Sequence, residues 1–248
     1  MVANALRFAA RRLGKRSGRR LAAVANVIDR PVDVSDHFTD HLHYAIAGML
    51  HRGNLHCFDW AIRNRPSDAP LLEIGSFCGL STNALVYYLR RLGSPQPFFT
   101  CDPWVFEGAM VGDTPTSRRD YAAFVKDSYV RSIETFSADR KPHTVETTSD
   151  AFFEAWTAGR EVEDVFGRRV RLGGPLAFVY VDGTHDREQV TLDWQHADRV
   201  LEPGGFLLFD DSWDGAGWGA CTVMPDVLAS GRYELVAKNP NYFFRKVR

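Results

Sequence analysis

Along the chain, short apolar runs alternate with longer stretches in which apolar residues recur every three or four positions. The first kind reads as strand and the second as helix. Phe38, Leu42, Ala45, Met49 and Leu50 keep helical spacing behind the capping candidates Ser35 and Asp36. A second helix is expected from Asn54 to Asn64, stopped by Pro66. Both precede the first strand, so residues 1–66 are expected to form a helical cap or oligomer contact, and residues 67–248 the main domain. From there the elements alternate. Strand Leu71–Gly75 leads to helix Thr82–Leu92, strand Phe98–Cys101 to helix Arg118–Ala138, and strand Thr144–Glu146 to helix Ala151–Trp156. Ala177–Val181 is apolar throughout, as a parallel strand covered on both faces should be. A helix with Val190, Trp194, Ala197 and Leu201 on one face follows, then strand Phe206–Phe209. Tyr233–Ala237 and Tyr242–Lys246 flank Asn239-Pro240, a hairpin signal. This order specifies an α/β fold whose sheet is mostly parallel with one antiparallel strand.

The 248 residues suffice for one large α/β domain, without internal repeats or a low-complexity linker. Lys and Arg number 30 against 31 Asp and Glu, so wholesale nucleic-acid binding is not indicated. The charge is uneven. Seven basic residues lie between Arg7 and Arg20, and no acidic residue precedes Asp29. That segment reads as a solvated basic helix or arm, with contact to lipid or an anionic partner as the alternative. Cys57, Cys78, Cys101 and Cys221 form no C-x-x-C pair, which suits a reduced compartment better than disulfides or zinc. No apolar run reaches membrane-spanning length, and no signal-type apolar region follows the N-terminal arginines. A soluble, cytoplasmic protein is expected.

The segment Leu71-Leu-Glu-Ile-Gly-Ser-Phe-Cys-Gly-Leu-Ser-Thr82 runs from a strand through a glycine turn into a helix. Gly75 allows a sharp bend and Gly79 a close ligand approach. The helix N-terminus offers unpaired N–H groups to a carboxylate. The spacing is G-x-x-x-G rather than the dinucleotide G-x-G-x-x-G. Glu73 would face a cationic or hydroxylated ligand rather than a pyrophosphate. This segment closely resembles motif I of class I S-adenosylmethionine-dependent methyltransferases. The resemblance implies a Rossmann-like, seven-stranded sheet and a turn, Glu73, Gly75, Ser76, Gly79 and Ser81, that binds the cofactor. Asp102 matches the acidic residue that holds the ribose hydroxyls. Trp104 would flank the adenine or serve as a core or lid aromatic. Ser149 and Asp150 match the adenine side more loosely.

A second region carries acids. Asp182 ends Phe178-Val-Tyr-Val-Asp182, and Asp210 and Asp211 end Phe206-Leu-Leu-Phe-Asp-Asp211. In the family's fold these strands are adjacent and parallel, about 4.8 Å apart, so the three carboxylates converge beside the cofactor turn. Their mutual repulsion would be relieved by Mg²⁺ or a similar hard cation, which takes oxygen ligands. The alternative has Asp210 and Asp211 capping the next segment and Asp182 bonding to backbone. The arrangement resembles metal-dependent sugar and small-molecule O-methyltransferases of the macrocin and novobiocin-sugar types, with methylmannose-polysaccharide enzymes as further candidates. The resemblance spans roughly Leu71 to Arg248.

The resemblance implies methyl transfer from S-adenosylmethionine to a hydroxyl of a sugar or glycosylated small molecule, assisted by the divalent cation. Asp182 or His185 would take the proton, and His143 could also point into the site. His37, His41 and His43 are expected at the surface or in the cap. Asp193 would support the site from behind or lie on a solvated helix face. Trp104, Phe106 and Tyr121, with Trp213 and Trp218 in a glycine-rich loop, suit a carbohydrate face, although a catechol-like ring would stack there too. A nicotinamide oxidoreductase would lack its glycine fingerprint. A non-catalytic cofactor-binding module would not need the acids. No Asn/Asp-Pro-Pro-aromatic motif points to nucleic-acid methylation. A homo-oligomer through the N-terminal helices is a further possibility.

Overall fold

The computed structural model describes residues 32–105 and 116–248. The basic run Arg7–Arg20 and Phe106 lie outside them. Two helices come first, α1 (His37–Ala45) and α2 (Arg52–Arg63). Asp36 caps α1 in a reciprocal box with Thr39, as anticipated for that acid. The helix stops at Ala45, short of Met49 and Leu50. The alternating part then runs β1 (Leu71–Ile74), α3 (Leu80–Arg91), β2 (Phe98–Cys101), α4 (Arg118–Phe136), β3 (His143–Val145) and α5 (Ser149–Thr157). A small hairpin, β4 (Glu161–Glu163) and β5 (Arg169–Arg171), precedes β6 (Leu176–Val181), α6 (Arg187–Val200) and β7 (Leu201–Phe209). Last come α7 (Gly219–Ala229), β8 (Tyr233–Lys238) and β9 (Tyr242–Lys246).

The main sheet has seven strands in the order β3-β2-β1-β6-β7-β9-β8. All neighbours pair in parallel except at β9, which runs against both β7 and β8. The mostly parallel sheet with one antiparallel strand is therefore as expected. Strand order reverses between β1 and β6, and the crevice beyond the carboxyl ends at such a switch point is where α/β sheets bind ligands.

The period of two assigns side chains to the two faces. Leu71, Phe178, Tyr180, Phe206 and Leu208 pack with α1 to α4. Leu72, Val179, Val181, Leu207 and Phe209 pack with α5, α6 and α7. Two details differ from the sequence reading. Leu201 opens β7 rather than closing α6, and α7 lies in residues 219–229, where no element was expected. The β4–β5 hairpin was not foreseen because its strands, Glu-Val-Glu and Arg-Val-Arg, are short and mainly exposed.

Candidate active site

The register that builds the sheet also builds the site. Ile74 pairs with Cys101 and with Val181, and Val181 pairs with Phe209. The ladder continues one residue beyond each strand. Gly75 N–H donates to Cys101 O, Asp182 N–H to Ile74 O and Asp210 N–H to Val181 O, at 2.9, 2.8 and 2.9 Å. Asp102, Gly75, Asp182 and Asp210 thus form the next row across the carboxyl ends. Gly75 has φ +85°, and a Cβ there would lie 2.1 Å from the Asp182 carbonyl oxygen. The cofactor turn and the acidic turn are in direct backbone contact, and only glycine fits between them.

Gly79, at φ +91°, precedes α3, whose N-terminus no side chain caps. That leaves its first N–H groups to other acceptors. Gly79 is also required by packing on its Cβ side. The space above it is taken by α4, since a Cβ there would lie 2.6 Å from Ser132 Oγ and 3.1 Å from the Tyr129 ring.

Asp102 is buried, and its Oδ2 accepts the N–H groups of Ser76 and Phe77 at 2.8 and 2.9 Å. Its Oδ1 accepts from Trp104 N–H at 2.7 Å. Burial holds the carboxyl above its ordinary range while these donors pull it back. A carboxylate has about four lone-pair positions, so the three N–H groups leave room for a single hydroxyl rather than two. Trp104 packs as a core residue. It is 3% exposed, its ring centroid lies 5.3 Å from that of Tyr129, and its Nε1–H donates to Phe77 O at 3.0 Å. Glu73 is fully buried beneath the turn, not on an open wall. Its Oε2 accepts from Thr82 Oγ1 at 2.5 Å, whereas Oε1 has no partner. Burial pushes the Glu73 carboxyl up to about 7, against the pull of the Ser81, Thr82 and Thr100 hydroxyls. The Ser76 hydroxyl is hydrogen-bonded to that of Thr100.

On the other face, Gln189 Nε2 donates to Ser149 Oγ and to Asp193 Oδ1, both at 3.2 Å. Asp150 is exposed, with its Oδ1 3.1 Å from His196 Nε2. Asp193 is not on a solvated face. It is fully buried, its Oδ2 lacks a partner, and burial pushes its carboxyl up to about 6.

The acidic turn gathers more than the sequence indicated. Asp210 Oδ1 accepts Asn54 Nδ2–H at 2.5 Å and Asn241 Nδ2–H at 2.6 Å. Tyr180, on the same sheet face two residues before Asp182, donates its hydroxyl to Asp182 Oδ2 at 2.9 Å. Burial, then the facing Asp210 carboxyl, holds Asp182 well above the usual carboxylate range. Asp210 is also raised, by burial foremost and by Asp211. Asp211 turns off at φ +49°, and its Oδ2 lies 3.5 Å from His185 Nε2. The His185 ring is 5.6 Å from the ring of Trp218, which is 51% exposed. His51, the α2 N-cap, feels both Asp210 and Asp211, yet burial holds its imidazole below the ordinary value. Asn54, Asn241, Tyr180 and His51 were not foreseen. Only Tyr180 carried a signal, the period of two.

Not every candidate joins this cluster. His143 faces Asp164 at 3.4 Å, with its ring centroid 5.1 Å from that of Phe99, on the edge strand β3. His37 and His41 are exposed, and half-buried His43 bonds to Thr39 O within α1. Trp213 and Tyr121 are partly buried. Among the described residues, no three His, Cys, Asp or Glu side chains are set as they stand to hold a metal ion. The donor chemistry nevertheless fits a hard cation, because all three acids of the turn offer oxygen, and burial together with a neighbouring carboxyl holds Asp182 and Asp210 above the usual carboxylate range. All four cysteines are free, and no helix among the described residues is long and apolar enough to cross a membrane.

A sequence profile described as a methyltransferase domain matches residues 72–212, more than half of the chain and the whole span from β1 to the acidic turn. No curated protein sequence matches. Solved structures of the same fold include the methyltransferase PaMTH1 of Podospora anserina, bound to S-adenosylhomocysteine. It is 13% identical with a TM-score of 0.57, covering 95% of this chain and 97% of that one. The O-methyltransferase NovP is 12% identical with a TM-score of 0.55, covering 90% and 94%. CalS11, described as a TDP-rhamnose 3'-O-methyltransferase, is 18% identical with a TM-score of 0.50, covering 77% and 78%. At these identities the likeness is one of fold. With the profile match over the site-bearing strands, it establishes that the chain belongs to this methyltransferase-domain family, an enzyme on the fold shared with S-adenosylmethionine-dependent O-methyltransferases.

Proposed function

We propose that the protein transfers a methyl group from S-adenosylmethionine to a hydroxyl of a sugar or glycosylated small molecule, with help from a divalent cation. The observation that carries this reading is the row Asp102, Gly75, Asp182 and Asp210. It sets a cofactor-type turn and an acidic turn in backbone contact at the sheet's switch point. The methyl group of a sulfonium needs little activation beyond alignment, so holding the acceptor oxygen in line supplies much of the rate. Asp102 and the α3 N-terminus would bind the cofactor's ribose and carboxylate. Asp182, Asp210 and Asp211 would hold the cation. When bound, the cation would lower the pKa of an acceptor hydroxyl, which matters more for an aliphatic alcohol than for a phenol. His185, beside Asp211, would take the acceptor's proton. Trp218 would offer an exposed aromatic face to the acceptor. The sugar class is supported by this aromatic next to carboxylates and by the fold shared with CalS11. A cytoplasmic setting is supported by four free cysteines.

The test is a methyl-transfer assay with labelled S-adenosylmethionine against a panel of sugars, nucleotide sugars and catechols. Transfer to a sugar should be abolished by EDTA and restored by Mg²⁺ or Mn²⁺. Full activity in chelator would remove the cation from the reading. Preference for catechols would remove the sugar.

A further inference from the structure

Two asparagines far apart in sequence meet on one oxygen of Asp210. Asn54 lies in the first turn of α2, and Asn241 in the β8–β9 turn. Both Nδ2 groups donate to Asp210 Oδ1, at 2.5 and 2.6 Å, and Asn241 also donates to Asn54 Oδ1 at 3.0 Å. Asn241 Oδ1 in turn accepts the Ser212 N–H at 3.0 Å. Asn54 Nδ2 reaches the Tyr180 hydroxyl at 3.2 Å, which donates to Asp182. Asn54, Asn241 and Asp210 are all at least nine-tenths buried. Two donors on one oxygen fix the rotation of a carboxyl group that would otherwise swing about its terminal torsion.

The same turn makes a second set of contacts to the N-terminal segment. Asn239 forms this latch. Asn239 Oδ1 accepts Val32 N–H at 2.6 Å, and Asn239 Nδ2 donates to Val32 O and Gly53 O at 2.8 and 2.9 Å. Gly53 is required there, since a Cβ would lie 1.7 Å from Asn239 O. Latch and clamp are therefore neighbouring but distinct, since only the clamp reaches the acid.

We infer that Asn54 and Asn241 are positioning residues for methyl transfer. By holding Oδ1 of Asp210 they set the direction in which its Oδ2 meets Asp182 and the acceptor. The inference rests on the function proposed above. It assigns a catalytic purpose to the cap and to the terminal hairpin, which lie outside the alternating part of the fold.

The experiment compares Asn54→Ala, Asn241→Ala and the latch control Asn239→Ala. Each is measured for kcat, KM, S-adenosylhomocysteine affinity by calorimetry, and melting temperature. The clamp variants should lose about tenfold to a hundredfold in kcat, as expected for a misaligned reacting group, with cofactor affinity unchanged. Asn239→Ala should lose melting temperature without a comparable loss of kcat. A second measurement needs no turnover. The destabilisation caused by Asn241→Ala should be smaller in an Asp210→Ala background, the remainder coming from its bonds to Ser212 and Asn54. Should an alanine variant fail to fold, Asn54→Ser, which keeps a shorter donor, carries the same comparison. Equal kcat losses in clamp and latch variants at matched melting temperatures, or no coupling to Asp210, would overturn the inference. A wild-type enzyme that methylates no hydroxyl would instead overturn the proposed function, and normal wild-type turnover with unaffected clamp variants would overturn the clamp alone.

Discussion

Glu73→Gln offers a test of the buried acids that does not depend on the acceptor. Glu73 is fully buried, one of its oxygens has no partner, and its carboxyl is pushed up to about 7 from an ordinary 4.5. Below pH 4.5 the folded and unfolded chains both keep the proton, and the site contributes no pH dependence. As pH rises from there towards 7, the unfolded chain ionises first, so stability falls. Above the folded value the full cost is present, about 3 kcal/mol at about 1.4 kcal/mol per pH unit. Glutamine has nearly the same shape, can still accept from Thr82, and does not titrate. Its own pH-independent offset, from placing an amide where the unpartnered oxygen sits, does not enter the slope. Urea unfolding of wild type and variant from pH 4 to pH 8 should therefore give a difference that shifts by about 3 kcal/mol in favour of the variant. The subtraction cancels Asp193 and Asp210, which are raised in the same direction, and Asp182 except for the part of its shift that comes from Glu73. A difference that stays flat across this range would refute the assignment of an elevated Glu73.

Two substitutions address the site directly. Asp102→Ala removes the acceptor of three backbone N–H groups, and S-adenosylhomocysteine affinity should fall about tenfold or more by calorimetry. Unchanged affinity would sink the ribose assignment. His185→Ala should lower kcat by roughly a hundredfold, within the usual range for a general base, while leaving cofactor affinity intact. A near-normal His185→Ala enzyme beside an inactive Asp182→Asn enzyme would move the base role to Asp182.

The legible part of the site was the part written locally. The alternation of apolar residues in β1, β6 and β7 places Glu73 with Tyr180, and Asp182 opposite Asp210, once the strands are parallel and in register. Gly75 was legible because a strand-to-helix turn leaves little choice of residue. What could not be read was supplied from a distance. Asn54 and Asn241 stand 156 and 31 residues from Asp210 and belong to elements whose only sequence signal was helical spacing and a turn. Trp104 was ambiguous for a similar reason. Its burial depends on Tyr129 of α4, and no periodicity links the two. The start of α7 was hidden because Gly215, Gly217 and Gly219 read as loop, while Gly219 is in fact needed where the helix meets α6, a Cβ there lying 2.3 Å from Arg187 N.

The manner in which these acids are satisfied bears on the chemistry. Among the described residues, no lysine or arginine forms an ion pair with Glu73, Asp102, Asp182 or Asp210, although such pairs are common elsewhere on the protein. Their partners are neutral: backbone N–H groups for Asp102, a threonine hydroxyl for Glu73, a tyrosine hydroxyl for Asp182 and two amides for Asp210. A cationic partner would cancel each charge and leave little field beyond it. Dipolar partners hold a carboxyl group in place without cancelling its charge when it ionises, so an ionised row projects a negative potential across the carboxyl end of the sheet. The cost appears as raised carboxyl pKa values along the row. The ligands that would repay that cost are cations, and the proposed reaction brings two, a sulfonium and a divalent metal. Adding S-adenosylmethionine and Mg²⁺ should accordingly favour the ionised carboxylates and release protons from the protein, and the acids that crowd one another when the protein is alone would become mutually compatible once those charges stand among them.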